Sequence, residues 1–253
     1  MIEITFQAGG EILRGHLHYP AFAAERVPGI VIIPGFADTA VGPHNLHRAL
    51  ADVLARAGFA VLRFDYRGQG ESDGDFRLFT AQSGLEDARE ALACLRQQMG
   101  VDSERLGLVG FSLGGTLACL LAGETPALRA LTLLAPVAYP SKVFRSFFTD
   151  QHLAQAEAQG WIDWLGWPVG RAFLPGTATL DPLQAFQRSH APALVIQGTA
   201  DGEVPPENGE AYASRGAELL WLEGGDHQFS SVQLQEKVID HTSTWLQSRM
   251  ALS

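Results

Sequence analysis

The stretch LGLVGFSLGGTLACLLAG, residues 106–123, decides how this chain is to be read. It holds no charged side chain, and near its middle stands one serine, Ser112, with Gly110 two positions before it and Gly114 two after. Eighteen uncharged residues approach the length of a transmembrane helix, which needs about 20. Five glycines within the stretch argue against a span. The same absence of charge arises in an α/β protein where a buried parallel strand runs straight into a buried helix, because both are covered on every side. LGLVG is then the strand and LGGTLACLLAG the helix, closed by Gly123.

The rest of the chain repeats that alternation. Short apolar runs with turn-type ends stand at GIVIIP (29–34), AVLRFDY (60–66), ALTLLAP (130–136), ALVIQG (193–198) and ELLWLEG (218–224). Between them lie helical stripes. Leu46, Leu50, Val53, Leu54 and Ala57 form one, ended by Gly58; Leu85, Ala88, Leu92, Leu95 and Met99 form another, opened by a Ser83–Glu86 capping box and closed by Gly100. A last helix is expected from Ser230, carrying Val238, Trp245 and Leu246. The pattern predicts an α/β fold, a mostly parallel sheet with helices on both faces. IEITFQ and EILRGHLHY, separated by Gly9 and Gly10, read as an antiparallel hairpin on its edge.

At 253 residues one domain, 1–253, is the expectation. The 28 acidic residues outweigh the 18 basic ones, a formal charge of -10 that opposes nucleic acid and anionic lipid as partners. The opening MIEITFQAGGE has neither the basic nor the apolar region of a signal peptide, so a cytoplasmic location is expected, with Cys94 and Cys119 as free, buried thiols. His44 and His47 form an i,i+3 pair without a third ligand, and no metal or other cofactor is expected.

Ligands of such sheets gather at the carboxyl ends of the strands. The loops there are PGFADTA, DYRGQGESDG, Phe111-Ser112-Leu113, GTADGEVPP and GGDHQF. A serine between glycines at a strand-to-helix turn is a candidate nucleophile, its hydroxyl raised above the sheet edge. It needs a base held in the right tautomer by a carboxylate. Ser112, Asp201 and His227 supply these groups in the chain order Ser, acid, His; Glu203 and Asp226 are alternative acids. Two donors for an oxyanion are the N–H groups of Leu113 and Phe36. The DYRGQGESDG loop lacks the third glycine of a dinucleotide fingerprint, with Asp73 in its place, so Asp65, Arg67 and Ser72 are expected to tie loops together.

PGF, DYRGQGESDG, GFSLGG, GTAD and GGDHQF, in this order over residues 29–246, resemble the α/β-hydrolase superfamily, and within it bacterial carboxylesterases of the cinnamoyl and feruloyl esterase type. The resemblance implies hydrolysis of small to medium acyl or aryl esters through an acyl-enzyme, without cofactor, with the roles above for Ser112, Asp201, His227, Phe36 and Leu113. Relatives often carry His-Gly where this chain has Pro34-Gly35. Thioesterase or acyltransferase chemistry on the same residues, and a non-catalytic binding module, are the alternatives.

Some fifty residues, 140–190, separate two successive strands, far more than one crossover helix needs. They read as a helical cap insertion. Its rings, Phe144, Phe147, Phe148, Trp161, Trp164, Trp167 and Phe173, are expected to divide between a small core of their own and the lining of an acyl pocket, and to govern which ester is chosen rather than how fast it reacts.

Overall fold

The computed structural model describes residues 1–21 and 26–250. Strands β1 (Ile2–Ala8) and β2 (Glu11–His18) form the expected antiparallel hairpin around Gly9 and Gly10. After β3 (Val27–Ile33) the chain alternates through α1 (Leu46–Arg56), β4 (Ala60–Phe64), α2 (Ala81–Arg96), β5 (Val101–Phe111), α3 (Leu113–Glu124) and β6 (Ala130–Leu134). The long connection holds α4 (Pro140–Phe147), α5 (Asp150–Gln159), the hairpin strands β7 (Trp161–Trp164) and β8 (Trp167–Gly170), α6 (Phe173–Thr177) and α7 (Pro182–Arg188). The chain then returns to the main sheet in β9 (Ala193–Gly198), α8 (Glu207–Ala213), β10 (Glu218–Leu222) and α9 (Val232–Met250).

Eight strands of the described residues make one sheet in the order β1-β2-β4-β3-β5-β6-β9-β10, parallel from β4 onward. The order reverses direction between β3 and β5. In doubly wound sheets this is where a crevice opens, because the connections on either side leave toward opposite faces. The central strands are buried on both sides. One face packs on α2, α3 and α7 through Leu85, Leu92, Leu117 and Phe186. The other packs on α1 and α9 through Leu46, Leu50, Val238 and Leu246.

Local details differ from the sequence reading. The capping box at the head of α2 uses Thr80 and Ser83, so the helix starts a turn earlier than a Ser83–Glu86 box would place it. It ends at Arg96, and Met99 lies beyond it, 95% exposed. Leu234 N–H reaches Ser231 at the head of α9, whereas Ser230 N–H goes back to Asp226. Of the two free thiols, Cys119 is buried and Cys94 only half-buried; burial pushes the Cys119 thiol up to about 12. Among the described residues no helix is long and apolar enough to cross a membrane. The hydrophobic stretch that opened the reading is β5 running into α3, covered by protein on both sides.

Candidate functional site

Ser112 sits between β5 and α3 with φ 53° and ψ −117°, a backbone conformation that costs a non-glycine residue about 1–3 kcal/mol. Its N–H donates to the Leu134 carbonyl at 2.9 Å, which ties the turn to β6. Glycine is required on both sides by space. A Cβ on Gly110 would lie 2.3 Å from the Gly114 carbonyl oxygen, and one on Gly114 would lie 2.2 Å from that of Ile33. The turn can therefore press against the end of β3, and that contact brings the loop after β3 beside Ser112.

His227 and Asp201 arrive on the loops after β10 and β9. Ser112 Oγ lies 3.0 Å from His227 Nε2, and His227 Nδ1 lies 2.9 Å from Asp201 Oδ2. All three residues are buried. An ionised carboxylate only accepts hydrogen bonds, so the neutral imidazole carries its proton on Nδ1 and leaves Nε2 free to accept from the serine hydroxyl. Of the three candidate acids, Asp201 is the one that meets the histidine. Glu203 contributes only its N–H, donated to Asp201 Oδ1 at 3.0 Å, and the Asp226 carboxylate accepts from Ser230 N–H at 2.7 Å. Partial burial works against the Asp226 charge, but that hydrogen bond and the Ser230 hydroxyl hold its carboxyl below the usual range.

The sequence reading missed several groups that hold this arrangement. Gln197, fully buried in β9, donates through Nε2 to Asp201 Oδ2 at 2.9 Å. Its only signal was a polar residue inside the apolar run ALVIQG. Asp38 folds the PGFADTA loop on itself by accepting from Thr39 N–H at 2.8 Å and Gly35 N–H at 3.3 Å. Tyr66 donates its hydroxyl to the Pro34 carbonyl at 2.9 Å from below the same loop. His47, wholly buried in α1, brings Nδ1 to 3.3 Å from the Thr39 carbonyl and 3.7 Å from Asp38, while its Nε2 has no partner. Burial lowers the proton affinity of the His47 ring below that of an ordinary imidazole, against the pull of Asp38 and the Thr39 carbonyl. His44 turns away to Ser230, so the i,i+3 pair does not converge.

The loop of DYRGQGESDG is structural, as its sequence suggested. Asp65 accepts from Ala40 N–H at 2.6 Å and Glu71 N–H at 3.0 Å, Ser72 bridges it to Arg14, and Arg67 pairs with Asp87 and Glu86. Among the described residues no group of three or more His, Cys, Asp and Glu is placed to hold a metal ion.

Above Ser112 and His227 lies a cavity of about 290 Å³ lined by Phe36, Phe111, Phe147, Trp164, Leu165 and Trp167 together with Asp38, Glu203 and Gln228. Phe36 is the hub of the ring cluster over it. It stacks on Phe173 with centroids 4.2 Å apart and touches Phe76, Phe144 and Trp164. Of the rings in the long connection, Trp161 is half-buried and lies outside the cavity lining. Phe144, Phe148 and Phe173 are buried, whereas Phe147, Trp164 and Trp167 face the cavity. Leu113 N–H is the first of α3, with no carbonyl one turn behind it in the helix. Phe36 N–H belongs to the facing loop.

A parallel sheet reversing at β3/β5, a serine at positive φ on the turn between them, and an imidazole arriving from the last strand decide the architecture. The chain has the α/β-hydrolase fold. A family model described as the alpha/beta hydrolase fold matches residues 28–147. Among solved structures this chain is similar to Est1E of Butyrivibrio proteoclasticus with ferulic acid bound, at a TM-score of 0.86 and 23% identity over 98% of this chain and 100% of that one. It is also similar to the esterase domain of a Rhodothermus marinus protein, at a TM-score of 0.75 and 22% identity over 99% of each chain. At these identities the likeness concerns the fold. An uncharacterised protein of Mycobacterium tuberculosis is 32% identical over 205 residues, 81% of this chain; the match spans 63% of that protein's length.

Proposed function

We propose that this α/β hydrolase cleaves carboxylic esters of small to medium acyl or aryl groups by way of a covalent acyl-serine. The observation that carries the reading is the continuous chain from Ser112 Oγ through His227 to Asp201, at 3.0 and 2.9 Å, beneath a cavity. Ser112 Oγ attacks the ester carbonyl as His227 Nε2 takes its proton; Asp201 holds the ring and stabilises its positive charge. The oxyanion accepts from Leu113 and Phe36 N–H. As the intermediate collapses, His227 passes the proton to the departing alcohol. Water then repeats the sequence on the acyl group and releases the acid. In this reading residues 1–253 act as one catalytic domain and 140–190 as its cap, supplying Phe147, Trp164 and Trp167 to the cavity. The fold's likeness to esterase structures supports the choice of substrate class.

The test is a serine-directed fluorophosphonate together with a panel of oxygen esters and thioesters of graded acyl length. One label per chain on Ser112, with turnover of oxygen esters and a loss of about 10⁴-fold or more in Ser112→Ala, is the expected result. Labelling at another residue, or turnover that survives the substitution, would overturn it.

A further inference from the structure

The cavity over Ser112 is lopsided in charge. Among the described residues its lining includes two carboxylates, Asp38 and Glu203, and no lysine or arginine. Among the described residues no lysine or arginine pairs with either carboxylate: the basic group beside Asp38 is the buried His47, at 3.7 Å, and Glu203 has no ion pair. Glu203 is exposed at the rim. The remaining walls are largely aromatic. Phe147 and Trp164 stack nearly parallel, 11° apart with centroids at 5.8 Å, and Phe36 lies against Trp164 at 5.2 Å. Ring faces carry negative charge density, and carboxylates beside them add to it; a cleft lined by one sign concentrates ions of the other. The whole chain, at −10, points the same way.

The position of the acidic rim says which end of the ester would feel it. Glu203 lies two residues after Asp201, and Gln228 directly follows His227. They come from the same two loops that deliver the acid and the base, so they flank the side on which His227 hands its proton to the departing alcohol. Resting on the esterase reading above, we propose that the preferred substrates are esters whose alcohol part carries a positive charge, an alkylammonium or quaternary ammonium group. The ammonium lies against the Trp164 and Trp167 rings with Glu203 beside it, while the acyl carbonyl meets Ser112. No new bond is involved: the charge acts by holding the alcohol part in place while the ester bond breaks as already described. Anionic alcohol parts, and thiols bearing phosphates, meet repulsion at the same rim.

Two isosteric esters isolate the charge: choline butyrate and 3,3-dimethylbutyl butyrate, which differ by a quaternary nitrogen in place of a carbon. The expected kcat/KM ratio favours the cation by about tenfold at low ionic strength. It falls when salt is raised to 0.5 M, a ~4 Å screening length. Glu203→Gln is expected to lower the ratio at least threefold; a change that merely loosened the Asp201 loop would lower both rates together and leave the ratio alone. A ratio of one or less, with the neutral ester turned over, overturns the inference and leaves the esterase reading standing. Failure to cleave either ester or any member of the wider panel overturns the esterase reading. Binding then decides the inference: the native protein is titrated with choline and with 3,3-dimethylbutan-1-ol, following tryptophan fluorescence. Tighter binding of choline supports a cation pocket, and equal or weaker binding removes it.

Discussion

The rings of Phe36 and Phe173 lie stacked, 4.2 Å between centroids and 21° between planes. One belongs to the loop whose N–H is assigned to the oxyanion, the other to α6 of the inserted segment, and Phe173 is wholly buried. The segment is therefore mechanically joined to the loop beside Ser112, and its rings cannot all be ascribed to substrate choice.

That joint yields the first prediction. Phe173→Leu should lower kcat by about tenfold for short and long esters alike, because the support under the Phe36 N–H changes, and hydrogen-bond donors to an oxyanion are worth about 10²–10³ when lost entirely. Phe147→Ala, at the cavity wall, should instead change the order of preference among acetyl, butyryl, octanoyl and aryl esters. Steady-state kinetics on folded variants separates the two outcomes, and a selective effect of Phe173→Leu on one acyl length would contradict the coupling.

A second prediction concerns the acid. Asp201→Asn is expected to depress kcat by about 10⁴, since an amide favours the wrong tautomer of His227. Glu203→Gln and Asp226→Asn, whose carboxylates lie off the histidine, should change kcat for a neutral ester by less than about tenfold. A loss at Asp226 larger than at Asp201 would reverse the assignment.

Gly114 makes a third test, because its hydrogen faces two carbonyls of the neighbouring strand end at 2.2 and 2.4 Å from where a Cβ would stand. Gly114→Ala must push α3 away from β3. A cost of about 2–4 kcal/mol is expected, a fall in Tm on the order of 10 °C. Gly176→Ala, with open space at the same position, serves as the control and should leave Tm nearly unchanged. Thermal unfolding followed by circular dichroism reads both.

The fourth prediction is a pH dependence of stability. Burial holds His47 below its ordinary value of about 6.5, against the opposing pull of Asp38 and the Thr39 carbonyl and with a minor push from Arg63. The unfolded chain takes up a proton near pH 6.5 and the folded chain only at lower pH, so the unfolded state binds more protons between the two. Stability should fall with falling pH through that window, at up to about 1.4 kcal/mol per pH unit from this residue. His47→Gln should flatten the slope of urea-derived ΔG between pH 7 and 5. A residual slope is expected from His18, which burial and then Arg63 hold down as well. An unchanged slope in the variant would show that His47 is not buried neutral.

The alternation of apolar runs and helical stripes determined the sheet and its helices, and the glycines around Ser112 determined the turn. Both signals are local: strand and helix periodicity, and the room for a Cβ within one turn, are written in consecutive residues. The chain order puts Asp201 first and keeps Glu203 and Asp226 as alternatives, because three acids on two loops are all within reach of one histidine; the packed loops bring Asp201 to His227. Ser112 and His227 lie 115 residues apart. Gln197 beneath Asp201, His47 and Tyr66 against the PGFADTA loop, and the Phe36–Phe173 stack came only with the tertiary structure. Each is a contact between distant segments, set by how helices and strands close on one another to within a few tenths of an ångström. No periodicity in the sequence carries that distance.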